Sequence, residues 1–138
     1  MKDQIILRVV AKLLMPYLLL WAFYVQWHGD YGPGGGFQAG VIFAAGVVLF
    51  ALIFGLAAAR QAIRPGVVHA GISAGLLIYA GVGVANMLAG AAFLDYDTFG
   101  HHGQHWGILI VELGVGVTVS AVMLSIYTAL AGRGRPAQ

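Results

Sequence analysis

Two stretches of this chain, Phe37–Ala59 and Gly66–Leu94, run without a charged residue, and a third, Trp106–Gly132, contains only Glu112. A fourth apolar stretch, Ile5–Trp27, has Arg8 and Lys12 near its start. No other feature limits the fold so strongly. A helix rises about 1.5 Å per residue, so about 20 apolar residues cross a hydrocarbon core about 30 Å thick. All four stretches are long enough. None alternates as a lipid-facing barrel strand would. Within lipid the backbone must satisfy its own hydrogen bonds, which leaves helices. The expectation is an all-α integral membrane protein with four transmembrane helices. The spans are 5–27, 37–59, 66–93 and 106–131, in one membrane domain covering 1–138.

Composition agrees: 60% of residues are hydrophobic and 9% charged, against about 25% charged in a soluble domain. The chain has no cysteine, which excludes disulfides, thiolate metal sites and thiol catalysis. The first apolar stretch is longer than the core of a secretory signal, and no small-residue cleavage site follows it. It is therefore expected to stay as a span.

The predicted connections are His28–Gly36, Arg60–Pro65 and Asp95–His105. Lys2, Arg8, Lys12, Arg60, Arg64, Arg133 and Arg135 all lie at the termini or in the second connection. By the positive-inside rule that side is cytoplasmic, so both termini are inside and loops one and three outside. The same distribution accounts for the net charge of +2 without a nucleic-acid partner. The outer loops hold Asp30, Asp95, Asp97, His28, His101, His102 and His105, and Trp21, Trp27, Tyr31, Tyr96 and Trp106 stand near the outer helix ends. Gly71 and Gly75 form a GxxxG pair in the third span, and Gly116 follows Glu112 by one turn in the fourth. Small residues let helix backbones approach closely in lipid.

Loop one reads His-Gly-Asp-Tyr-Gly-Pro-Gly-Gly-Gly-Phe. A phosphate-binding loop needs a spaced GxxxxGK[ST] after a strand, and neither the lysine nor the strand is present. Pro33 discourages helix at Gly32, while Gly34, Gly35 and Gly36 permit positive φ and close backbone contact. A plain turn would not need three consecutive glycines, so packing against another backbone is expected.

His28, then Pro33-Gly34-Gly35-Gly36-Phe37, then Gly40, the four-span layout and the acidic fourth span together resemble the MnhB family, the B-type component of Mrp-type multisubunit cation/proton antiporters. One departure is Ala39, where the family often has a second glycine. The histidines of loop three match no family motif. The resemblance implies a small inner-membrane subunit of a complex that exchanges cytoplasmic sodium, or another monovalent cation, for external protons. The main proton machinery would lie in larger antiporter-like subunits. The implied partners are those subunits, membrane lipid, the cation and H+. The chain would be a transporter subunit without cofactor or enzyme activity, and the motif residues would contact neighbouring subunits. Similar subunits occur in membrane-bound hydrogenase complexes. The alternative is therefore a purely structural subunit of either assembly.

Four residues are candidates for an ion path. Glu112 would sit about 9 Å below the outer interface, at 1.5 Å per residue from Trp106. A charge at mid-membrane costs about 2.5–3.5 kcal/mol on insertion scales, so its presence implies a buried partner, a water path or a protonated state. It either handles an ion or hydrogen-bonds as a neutral carboxyl within an interface. His69 has a side chain suited to proton exchange, or is an interfacial histidine. Asn86 lines a polar path or joins helices. Lys12 pairs with an acid of another subunit or snorkels to the interface. His101 and His105 are one helical turn apart, with His102 adjacent, but two histidines in a glycine-bearing loop make no metal site. No nucleophile–base pair is evident.

Overall fold

Helix α1 (Ile5–Trp27) runs unbroken through Pro16. It is followed by α2 (Gly36–Phe54), the short α3 (Leu56–Ala62), α4 (Pro65–Leu88) and α5 (Gly100–Gly132). The structure is a computed structural model that describes residues 5–29, 32–96 and 100–133, with side chains from 104 onward in α5. Asp30, Tyr31, Asp97, Lys2 and Arg135 lie outside the described residues, as do the side chains of His101 and His102. Among the described residues there is no strand, and α1, α2, α4 and α5 are each long and apolar enough to cross a membrane.

The element ends differ from the expected ones for local reasons. The second expected span reaches Ala59, but the helix breaks at Gly55, whose φ of 98° and ψ of 154° belong to a region that is essentially glycine-only. A Cβ there would meet open space, so only backbone strain opposes a side chain. Gly55→Ala should therefore cost about 1–3 kcal/mol, read as a lower unfolding temperature in detergent with no loss of helix content. Pro65 opens α4 at its first position, where a missing N–H costs nothing. The third expected span continues to 93, yet α4 stops at Leu88. Gly90 N–H donates to the Met87 carbonyl and Ala91 N–H to the Asn86 carbonyl, with Gly90 at φ 86°. This is a Schellman stop, closed by a glycine in a left-handed conformation. Phe93 then folds back onto α4, covering Gly83 and meeting Tyr79 edge-on at 6.4 Å. The helix of the fourth span starts earlier than expected, at Gly100, so His105 is helical.

Helix α5 is central: it packs against α4 on one side and α2 on the other, and α1 covers α2. Small side chains make these contacts. Ala44, Val68, Ala121 and Leu124 form the buried centre, with Val47, Val48, Ile63 and Ile72 against it. On α4, Gly71 faces Ala121, while Gly75 faces Thr118 and the Gly114 carbonyl. The GxxxG pair thus seats α4 on α5 within the chain. At one end of the bundle the Arg60 guanidinium donates to the Thr128 carbonyl at 3.4 Å, near the end of α5. Arg8 and Lys12 lie over the Phe54 ring at that same end. Loop one and Glu112 occupy the opposite end.

Candidate functional site

The glycines of loop one close over Glu112. A Cβ on Gly29 would lie 2.5 Å from Glu112 Oε2, and one on Gly35 would lie 3.1 Å from Oε1. A Cβ on Gly36 would collide with the Glu112 backbone carbonyl. The backbone of the loop therefore lies directly on the carboxylate and on the helix that carries it. Gly35 has φ 119° and ψ 173°, again a conformation reserved for glycine. It is also the N-cap of α2, so the carboxyl group sits beside the first turn of a helix. There, backbone N–H groups lack intrahelical acceptors and the helix dipole favours negative charge. Glu112 itself is half-buried.

From this point α2 and α5 descend side by side. Gly36 rests on Glu112; one turn further, a Cβ on Gly40 would stand 2.6 Å from the Gly116 carbonyl and 3.2 Å from Ser120 N. Gly36 and Gly40 are thus a second GxxxG pair, beyond the one expected in the third span. Its signal is present in Gly-Phe-Gln-Ala-Gly. Gly34 lies under the Val25 carbonyl, which also accepts from Gly35 N–H at 3.2 Å. His28 stacks on Tyr24 at 5.1 Å, its carbonyl accepts from Gly32 N–H, and Gly32 covers its ring. Its contacts hold loop one in place. Pro33 is exposed, and so is Phe37, at 60%.

Gln26 joins the site without having stood out in the sequence. It is a single amide in the apolar C-terminal half of α1, 8% exposed, and its Nε2 has no hydrogen-bond partner among the described residues. A Cβ on Gly116 would lie 2.6 Å from Gln26 Oε1. Gln26, near the end of α1, precedes Gly29 in the following turn by three residues, and Gly116 follows Glu112 by four on α5. Both steps are about one turn inward, so the amide lies one turn beneath the carboxylate. A cavity of about 280 Å³ between α1, α2 and α5 opens there, lined by Gln26, Phe23, Gly40, Phe43, Gly116 and Ser120, among others. The Ser120 hydroxyl donates to the Val117 carbonyl at 3.0 Å, which leaves its oxygen lone pairs as acceptors.

The other three ion-path candidates do not gather at Glu112. Lys12 is exposed at the far end of α1, with its ammonium 5.8 Å from the Phe54 ring centroid. His69 is exposed near the start of α4. Since Gly71 faces Ala121, His69 lies beyond that level, more than about 13 Å along α5 from Glu112. Asn86 is 1% exposed, and its Nδ2 lacks a partner among the described residues. Counting outward from Gly75, it falls roughly 10 Å outward of Glu112. In loop three, Tyr96 covers Gly107. Burial, then the neighbouring Tyr79, raises its hydroxyl above the ordinary tyrosine value, so it stays protonated.

Four apolar spans joined by glycine seams, with a carboxyl group enclosed at one end, define a multi-pass membrane protein. The model of the family described as "Domain related to MnhB subunit of Na+/H+ antiporter" matches residues 6–125. Curated relatives agree. The B-type Na(+)/H(+) antiporter subunit of Bacillus subtilis (strain 168) is 34% identical over 99 residues, covering 72% of this chain and 68% of its own. The "Putative antiporter subunit mnhB2" of Staphylococcus haemolyticus (strain JCSC1435) is 30% identical over 137 residues, covering 95% and 96%. The protein of the same name from Staphylococcus aureus (strain MRSA252) is 29% identical over 144 residues, with the same coverage of both chains. The chain belongs to the MnhB family of antiporter subunits, proteins of the cell membrane.

Proposed function

We propose that this chain works within a multisubunit complex that exchanges cytoplasmic Na+, or a similar monovalent cation, for external H+, and that Glu112 is its exchanging group. The supporting observation is the enclosure of the Glu112 carboxylate by Gly29, Gly35 and the first turn of α2. A carboxyl group lying this close to loop backbone and to the first turn of a helix can take up and release a proton, or meet a cation. The basic end of the bundle, with both termini, faces the cytoplasm. Loop one, loop three and Glu112 then lie toward the outside, where protons enter.

In this reading Gln26 positions water. Its Nε2 is a buried donor without a partner among the described residues, and leaving such a group unsatisfied costs about 1–3 kcal/mol. A water bridging Nε2 and the Ser120 oxygen would satisfy it and start a hydrated path leading away from beneath Glu112. Gln26→Leu removes the donor at little cost in volume. Exchange should fall roughly tenfold, with the complex still assembled and the half-saturating Na+ concentration unchanged. An unchanged rate would rule out water delivery through Gln26.

A purely structural role has one observation in its favour: Gly36 packs on the backbone of Glu112 itself. Cation/proton exchange in membrane vesicles carrying the whole complex with Glu112→Gln, beside a native gel, separates the two readings. Intact assembly with lost exchange supports ion handling. Intact assembly with normal exchange makes this chain a scaffold. The exposed Phe37 is the expected contact with a neighbouring subunit, so Phe37→Ala should leave the helix content of this chain unchanged and reduce the assembled complex on the gel.

A further inference from the structure

The end of the bundle opposite Glu112 carries a second groove, between α1 and α2, that the exchange reaction does not use. Its volume is about 400 Å³, and Lys12, Pro16, Leu19, Gly46, Phe50 and Phe54 are among its lining residues. The walls are apolar except at the mouth. There the Arg8 guanidinium carbon lies 5.3 Å and the Lys12 ammonium 5.8 Å from the centroid of the same Phe54 ring. Arg8 and Lys12 are four residues apart, hence neighbours on one helix face. Asp95 and Glu112, the carboxylates among the described residues, belong to the other end of the bundle. Arg60, another cation at this end of the bundle, is turned to the Thr128 carbonyl at the end of α5. The two cations at the groove mouth therefore face a π cloud and no acid among the described residues.

The groove has the depth of one leaflet. Along α2 it runs from Phe54 to Phe43, eleven residues or about 16 Å, against about 15 Å for half of a hydrocarbon core about 30 Å thick. At this end stands Phe43, whose ring meets Phe23 edge-on at 6.4 Å. Phe23 and Phe43 then form the wall of the cavity beneath Glu112. A transmembrane helix of a neighbouring subunit would need a groove through both leaflets. A lipid tail needs one leaflet's depth and a place for its headgroup at the mouth.

We infer that the α1–α2 groove binds an anionic phospholipid of the leaflet on the side of the chain termini, with an acyl chain between Leu19 and Phe50 and the phosphate held by Arg8 and Lys12. This assigns Lys12 to lipid rather than to ion conduction, and it does not depend on the role of Glu112. An amphipathic cation at this depth extends its stem along apolar surface and its charge toward the headgroups. Each Lys or Arg near a membrane surface contributes about 1 kcal/mol toward anionic lipid. Loss of both should thus weaken binding about 30-fold, at tenfold per 1.4 kcal/mol.

The test uses the whole complex, purified in detergent and titrated with phosphatidylglycerol or phosphatidylcholine, with bound lipid counted by native mass spectrometry. The wild-type complex should retain phosphatidylglycerol in preference to phosphatidylcholine. The Arg8→Gln/Lys12→Gln variant should need about 30-fold more phosphatidylglycerol for the same occupancy. Equal retention by the variant, or no preference between the lipids, overturns the inference. A second measurement stands even if the double variant fails to assemble. Phosphatidylglycerol with a photoreactive acyl tail, bound to the wild-type complex, should label α1 between Met15 and Leu19 and α2 between Gly46 and Phe50. Label elsewhere, or crosslinks from a photoreactive residue at position 19 to another subunit, would give the groove to a protein partner.

Discussion

Complexes carrying Gly36→Ala will fail to assemble, whereas Gly81→Ala complexes will assemble normally. Both changes add one methyl group to a glycine in a membrane helix. The Cβ at position 36 would overlap the Glu112 carbonyl, a backbone atom in the middle of α5 that has no rotamer to escape into. Relief requires α2 and α5 to separate at the end where loop one lies. That lifts Gly35 off the carboxylate and breaks the seam that continues through Gly40 and Gly116. Overpacking a close-packed interior typically costs about 1–3 kcal/mol even when side chains yield, so a clash confined to backbone exceeds that range. At Gly81 a Cβ meets nothing within 4 Å, and alanine is favoured over glycine in a helix by about 1 kcal/mol. Native-gel yield of the two variants checks the pair. Normal assembly of Gly36→Ala would mean that loop one does not close on α5 as described.

The four spans were legible because charge-free length is a property of sequence alone. Their ends were less so. Gly55 and Gly90 end α2 and α4, but 21 glycines punctuate this chain, and nothing local separates a helix-breaking glycine from Gly46 or Gly81 inside a helix. The triple glycine signalled a close backbone approach, and Glu112 stood out as the acid of the last span. That the two features meet was not legible. Glu112 is distant from Gly29 and Gly35 along the chain, and only the parallel descent of α2 and α5 brings them together. Periodicity carries no information about which helix neighbours which. Gln26 was hidden for the opposite reason. One amide near a helix end reads as ordinary interfacial polarity until its burial beneath Glu112 is known.

Glu112→Gln should abolish exchange while Glu112→Asp retains part of it, and the order of the two is the informative result. Glutamine keeps the length and the planar head that fit beneath Gly29 and Gly35, so the glycine seams and the complex survive. It cannot take up a proton or carry charge. Proton transfer by a placed side chain typically contributes about 10²–10⁴-fold, and exchange should fall by roughly 100-fold or more. Aspartate keeps the proton chemistry but draws the carboxyl group back by one methylene, about 1.5 Å, away from the loop and from the first turn of α2. Misplacement by about 1 Å can cost about 10²-fold where geometry is critical. Here a water between Gln26 and the shortened side chain can restore part of the contact, so about a tenfold loss is expected. Initial exchange rates in vesicles, normalised to assembled complex, test the order. Glutamine equal to wild type would deny Glu112 any ionic role. Aspartate as inactive as glutamine would mean that position, as well as charge, is held to within one methylene by the glycines above it.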